Sequence, residues 1–137
     1  MQKHEHVLLD KTTPLLSNLD MKENIALIQE THHKKSRIEA ENEARAYLKK
    51  INLAHIADFR SNRCSKEELF YVMIIRALMC DIETIFIRSP LQLLETFGTL
   101  CEIIDNIERL NNNKSIIILD THTNFAHYKE CGCTITK

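Results

Sequence analysis

Hydrophobic and polar positions fall along this chain in blocks whose period switches from helical to strand-like and back. Asp20 followed three residues later by Glu23 has the form of a helix N-cap with its reciprocal partner, and Ile25, Leu27 and Ile28 then supply an apolar side. This predicts a helix over 21–32. Ser36 with Glu39 repeats the start signal, and Ala40, Ala44, Leu48 and Ile51 follow at helical spacing opposite Glu41, Arg45 and Lys49, the pattern of an amphipathic surface helix. From Asn52 to Arg63 the apolar residues Leu53, Ile56 and Phe59 keep no period, which predicts a short helical turn and loop, with Arg60-Ser61-Asn62-Arg63 as a polar junction. Ser65 with Glu68 opens a further helix. Its apolar residues, Leu69, Phe70, Val72, Met73, Ile74, Ile75 and Leu78, face every direction, so this helix is expected to be buried.

Asp81-Ile82-Glu83 then turns the chain into an apolar run, Thr84 to Arg88, of the length and composition of a parallel strand covered on both faces. Leu93, Leu94, Phe97, Leu100, Cys101, Ile104 and Ile107 mark one side of a long helix that ends near Asn111-Asn112-Asn113. Ser115 to Leu119 reads as a second strand, giving a strand, helix, strand unit with a right-handed crossover as the default. A short helical piece around Asn124 to Lys129 and a weak strand at Thr134 to Thr136 complete the expected elements.

Composition narrows the class more than the function. A length of 137 residues suits one small domain, and a formal net charge of −1 gives no electrostatic reason to expect nucleic acid. Arg76, Asp81 and Glu83 interrupt the longest apolar stretches, so no membrane insertion is expected. The opening residues, Met1 to His6, lack the charged-then-apolar pattern of a secretory signal, which makes the cytoplasm the expected location and reduced thiols the expected state. Cys64, Cys80 and Cys101 lie in or beside apolar segments and read as inert, buried small hydrophobes. Cys131 and Cys133, with His122 and His127 nearby, are candidate zinc ligands, set against an ordinary turn leading into a final strand; no metal is assigned. The two glycines, Gly98 and Gly132, are too few and too scattered for a phosphate-wrapping loop.

Several local motifs occur in a telling order. Leu15-Leu16-Ser17-Asn18-Leu19-Asp20 runs into Met21-Lys22-Glu23-Asn24-Ile25-Ala26-Leu27; a helix spans Arg45 to Leu53; Arg76-Ala77-Leu78 precedes Ile85-Phe86-Ile87-Arg88-Ser89-Pro90; and Ile116-Ile117-Ile118-Leu119-Asp120-Thr121-His122 follows. In this order and spacing the chain resembles, over nearly its whole length, the second half of an ABC transporter ATPase, from after the glutamine loop to just past the switch histidine. The loop-to-helix segment is most similar to ATPases of bacterial lipid-trafficking and lipoprotein-release systems. The resemblance implies an α/β fold, mostly helical overall: an incomplete P-loop-NTPase-like core of two or three strands with a helix-rich subdomain. It assigns 1–62 to the helical subdomain and 63–137 to the core.

The departures from the family fall on its chemistry. The family's phosphate loop and the strands before it have no counterpart in the aligned part. Lys11, beside Asp10, stands at the glutamine position. Cys64-Ser65-Lys66-Glu67-Glu68 aligns with the signature loop, keeping Ser65 but replacing the glycines by Lys66 and Glu67 and adding Glu68, so that two carboxylates face ground meant for a phosphate. Arg88 replaces the aspartate that orders magnesium and Ser89 the glutamate that polarises water; a cation does not ligate Mg²⁺ and a serine hydroxyl is a poor base at neutral pH. Pro90 keeps the turn. Leu94 and Glu95 alone retain the character of the following loop, and His122 matches the switch histidine. Beside these family roles stand plainer ones: Ser65 and Glu68 as caps of a buried helix, and His122 as a surface or interface histidine.

What the resemblance implies is a catalytically degenerate ABC-ATPase-like subunit, without ATPase activity and without a cofactor. Such a subunit docks through Leu15, Leu16, Asn18, Leu19, Glu23 and Asn24 on a membrane permease, or regulates a complete ATPase, on the inner face of the cell membrane. One alternative is half of a split ATPase, with Ser65 and His122 as residual nucleotide contacts and a second chain supplying Gly-x-x-x-x-Gly-Lys-Ser/Thr. Another is a free-standing helical interaction module. Strands with unpaired edges also point to a covering partner, a second copy included.

Overall fold

The computed structural model describes residues 6–10, 14–90, 94, 100–111 and 113–136. Along the chain these form β1 (His6–Leu9), α1 (Met21–His32), α2 (Arg37–Lys50), 3₁₀ turns at Ala54–Ile56 and Ser61–Arg63, α3 (Lys66–Leu78), β2 (Thr84–Arg88), α4 (Leu100–Leu110), β3 (Ser115–Leu119), a 3₁₀ turn at His122–Asn124, and α5 (Phe125–Glu130). The result is a small α/β fold in which helix predominates over a three-stranded sheet.

Local chemistry explains where the helices begin. The Asp20 carboxylate accepts the Glu23 N–H at 2.9 Å, and the Glu23 carboxylate accepts the Asp20 N–H at 3.0 Å, closing a capping box on α1. Ser65 and Glu68 close the same box on α3, at 3.1 and 2.7 Å. On α2 the Ser36 hydroxyl accepts the Glu39 N–H at 3.2 Å. This helix ends in a Schellman motif. Asn52 adopts φ +62°, its N–H reaches the Lys49 carbonyl at 3.1 Å, and the Leu53 N–H returns to Leu48 at 2.8 Å. Asparagine suits that left-handed position better than a branched residue does.

The sheet is parallel throughout, in the order β1-β2-β3, with Val7 beside Ile85 and Ile85 beside Ile116. Successive side chains alternate between its faces. One face carries Val7, Leu9, Ile85, Ile87, Ile116 and Ile118, all of which belong to or pack against the main core with residues of α3 and α4. The other carries Leu8, Phe86, Ile117 and Leu119, of which Phe86 is half-buried while Ile117 and Leu119 are 42% and 38% exposed. The double coverage expected of Thr84 to Arg88 is therefore one-sided among the described residues. Burial along β2 alternates instead of running continuously.

The buried character expected of α3 is observed: eight of its side chains, from Phe70 to Leu78, are inside. Its neighbours in the core include Met21 and Ile25 of α1 and Ala44 and Leu48 of α2, so both the sheet and the core cross the boundary between 62 and 63. The long helix marked by Leu93 to Ile107 is seen as Leu94, helical in conformation, and α4; its remaining positions lie outside the described residues.

Two expectations are corrected, and one strand appears that the sequence pattern does not announce. β1 joins the sheet although Val7-Leu8-Leu9 is too short a run to announce a strand. The weak strand at Thr134–Thr136 does not form; residues 133–136 belong to no helix or strand and are not paired with β3. Cys101 is neither buried nor free. It is exposed on α4 and joined by a disulfide to Cys131, just past α5. Cys64, Cys80 and Cys133 are free thiols. The bridge removes Cys131 from any zinc ligand set, and no metal-binding group of three or more His, Cys, Asp or Glu side chains occurs among the described residues. No helix among them is long and apolar enough to cross a membrane.

Candidate functional site

Parallel strands deliver their following loops to one end of the sheet, where open α/β folds gather binding chemistry. Here that end holds Asp10 after β1, Arg88-Ser89-Pro90 at the end of β2, and Asp120-Thr121-His122 after β3. Arg88 Nη1 stands 3.9 Å from Asp10 Oδ2, the guanidinium side chain 55% exposed and the carboxylate 11%. Ser89 adopts φ +48°, uncommon for a residue with a Cβ, and its N–H donates to the Leu119 carbonyl at 2.8 Å, tying the ends of β2 and β3 together. The charge at the tip of β2 is thus positive and balanced by a neighbouring strand.

Asp120 is occupied differently. Its carboxylate accepts the Thr121 N–H at 2.7 Å, the Asn124 side-chain amide at 2.8 Å and the Tyr128 hydroxyl at 2.5 Å. Burial, and the neighbouring Asp120 carboxylate, push the Tyr128 hydroxyl far above the usual tyrosine range. Asp120 thereby orients α5 on the sheet. The signal for it is in the sequence, since Asp120, Asn124 and Tyr128 recur at helical spacing, but sequence reasoning passed over it. His122 lies exposed in the adjoining 3₁₀ turn.

Of the positions singled out from sequence, Asp10, Arg88, Ser89 and His122 are brought to this one end of the sheet. Ser65 is at the start of α3, where its hydroxyl accepts the Glu68 N–H and its own N–H donates to the Glu68 carboxylate. Glu68 also places Oε2 3.7 Å from His55 Nε2. Glu67 and Glu68 occupy the first turn of α3, where carboxylates complement the helix dipole. Lys66 is exposed there. Lys11 and Glu95 lie outside the described residues.

The segment expected to dock on a partner divides in two. Asn24 is buried: its side-chain oxygen accepts the Leu16 N–H at 2.8 Å, and its amide nitrogen donates to the carbonyls of Leu16, Leu19 and Asp20 at 3.1, 3.3 and 3.0 Å. Its work is internal, stapling the loop 16–20 to α1. Glu23 is likewise used as a cap. Leu16 and Asn18 are exposed, and Leu15 and Leu19 half-buried.

A cavity of 740 Å³ runs along β3, walled by Ile116 to Leu119 on one side and Gly132 to Thr136 on the other. Ile104 and Ile107 of α4 and Phe125 and Tyr128 of α5 also line it. No local pattern in the sequence signals this space.

The chain matches no known family model, and no curated protein is significantly similar to it.

Proposed function

We propose that this chain is a catalytically degenerate ABC-ATPase-like subunit, with a partial P-loop-NTPase-like core, that binds a membrane permease or a complete ATPase instead of hydrolysing ATP. The observation carrying this reading is the tip of β2. Arg88 and Ser89 stand where the resembled family places its two acids, and Arg88 is 3.9 Å from Asp10, so the ground that would hold magnesium carries a cation. Ser65, the residue kept in the signature loop of the resembled family, is engaged as a helix cap.

Exposed apolar residues support the binding half of the proposal. Leu16, Leu27 and Ile38 lie at the surface of the region that corresponds to the docking subdomain, with exposures of 46%, 37% and 74%. On this reading the protein works in the cytoplasm, peripheral to the inner face of the membrane, where the Cys101–Cys131 bridge, exposed at Cys101, is open to reduction.

The test is co-purification of the full chain from native membranes, with bound proteins identified by mass, alongside an ATP-binding assay on the chain alone. A permease or an ATPase subunit recovered in stoichiometric amount, lost on Leu16→Glu, is the expected result. Tight, magnesium-dependent ATP binding by the isolated chain would overturn the proposal.

A further inference from the structure

Among the described residues β3 pairs with a neighbour on its β2 side alone. The Ser115 N–H donates to Glu83, and the Leu119 carbonyl accepts from Ser89. In a parallel ladder this phase turns the peptide groups of Ser115, Ile117 and Leu119 toward β2 and leaves those of Ile116 and Ile118 on the outer edge. That edge faces the 740 Å³ cavity, and the opposite wall is Gly132 to Thr136. The last backbone hydrogen bond of this wall among the described residues joins the Cys133 N–H to Tyr128. Beyond it, Thr134-Ile135-Thr136 has strand-forming composition but is not paired with β3.

The far wall is anchored. The Cys101–Cys131 disulfide fixes it to α4, and the Tyr128 hydroxyl, bonded to Asp120, fixes it to the end of β3. The tail is therefore held beside the sheet without closing on it. The space is many times the ~30 Å³ share of one water, and free edge N–H and C=O groups line it together with Ile104, Ile107 and Phe125. Such a slot, about 17 Å long at ~3.3 Å per strand residue, fits an extended peptide better than a compact ligand. The two carboxylates in its lining, Glu108 and Asp120, favour positive charge on the occupant.

We propose that the slot between β3 and residues 132–136 receives an apolar β-strand of a partner protein, flanked by basic residues, which hydrogen-bonds to the peptide groups of Ile116 and Ile118. This surface is separate from the loop and helices proposed above for permease docking, and it stands whether or not that reading does.

The test uses the full chain with its disulfide intact and two synthetic peptides sharing a five-residue Val/Ile/Thr core, one flanked by lysines and one by glutamates. Amide exchange is followed by NMR at low salt. The lysine peptide is expected to slow exchange at Ile116 and Ile118 by about tenfold or more and to leave β1 unchanged, with the glutamate peptide binding at least about tenfold more weakly. Glu108→Lys, an exposed substitution, should narrow that preference. Absence of protection at saturating peptide, protection confined to β1, or equal affinity for both peptides overturns the proposal. So does protection of Ile116 and Ile118 that rises with protein concentration alone and sediments as a dimer, since a second copy then fills the slot.

Discussion

Tyr71 shows how a single side chain couples the core to pH. It is almost fully buried on α3, and its hydroxyl accepts the Asn106 side-chain amide at 2.9 Å. Burial pushes it up to about 12 against the bonding of Asn106, which favours the phenolate, and Glu67 and Glu102 reinforce the rise. A tyrosine raised in the folded state favours its neutral form there. Its contribution to stability is complete below the unfolded value of about 10 and is lost as pH rises through about 12. Denaturant unfolding of wild type and Tyr71→Phe between pH 9 and 12 should show the wild type losing stability more steeply. Parallel curves across that range would remove Tyr71 from the alkaline response. Residues of this kind are only half legible in sequence: that Tyr71 lies on a buried helix follows from its neighbours, whereas Asn106, 35 positions away, is a partner that only the packing of α4 on α3 supplies. Asn24 is the reverse case: a polar residue on α1, grouped by sequence with the docking positions, is the buried hub that holds the preceding loop.

At the scale of elements, legibility follows the range of the interaction that defines each one. The starts of α1, α2 and α3 are set by contacts between residues three apart, and the sequence marks all of them through Asp20, Ser36 and Ser65. β2 and β3 are continuous apolar runs and were equally plain. β1 depends on β2, 78 positions on at the His6 to Thr84 pair, and its four residues carry no signal of their own. The disulfide is a third long-range feature, closing a loop with a sequence separation of 30 between α4 and the end of α5. Leu100 and Ile104 of α4 already pack with Tyr128 of α5, and the disulfide adds a covalent tie to that contact. Chain-entropy arguments put the stabilisation at roughly 3–4 kcal/mol for a loop of this length. Under non-reducing conditions Cys101→Ser should therefore unfold at lower denaturant by about that amount, and adding a reductant should bring the wild type down to meet it. Mass-based thiol counting on the unreduced protein must find three free cysteines; five would mean the bridge is not made.

For the molecule as a whole, the decisive asymmetry is between the two faces of the sheet. Parallel sheets ordinarily have both faces covered, yet here Ile85 and Ile87 are wholly buried while Ile117, directly beside Phe86 on the other face, is 42% exposed. This asymmetry was not legible in sequence. Ile85-Phe86-Ile87 and Ile116-Ile117-Ile118 have the same apolar composition on both sides, which is why double coverage was the natural expectation, and only the placement of α3 and α4 distinguishes the faces. The residues of the carboxyl-end cluster were legible only one by one: the resemblance singled out Arg88, Ser89 and His122, and the parallel topology brings them to one end of the sheet. The slot along β3, by contrast, depends on where residues 132–136 lie relative to that strand, which no local pattern encodes. The one-sided sheet makes a quantitative claim about the isolated chain. Ile85→Ala removes a fully buried side chain and leaves a cavity, and should cost about 2–5 kcal/mol in urea unfolding, whereas Ile117→Ala, with much of its surface already in water, should cost under about 1 kcal/mol. Comparable losses at the two positions would mean that Ile117 is covered in solution, and a cost at Ile117 that grows with protein concentration would identify a second copy as the cover. A small, concentration-independent cost at Ile117 instead leaves the apolar face open in the free protein, available to a partner that the isolated chain does not contain.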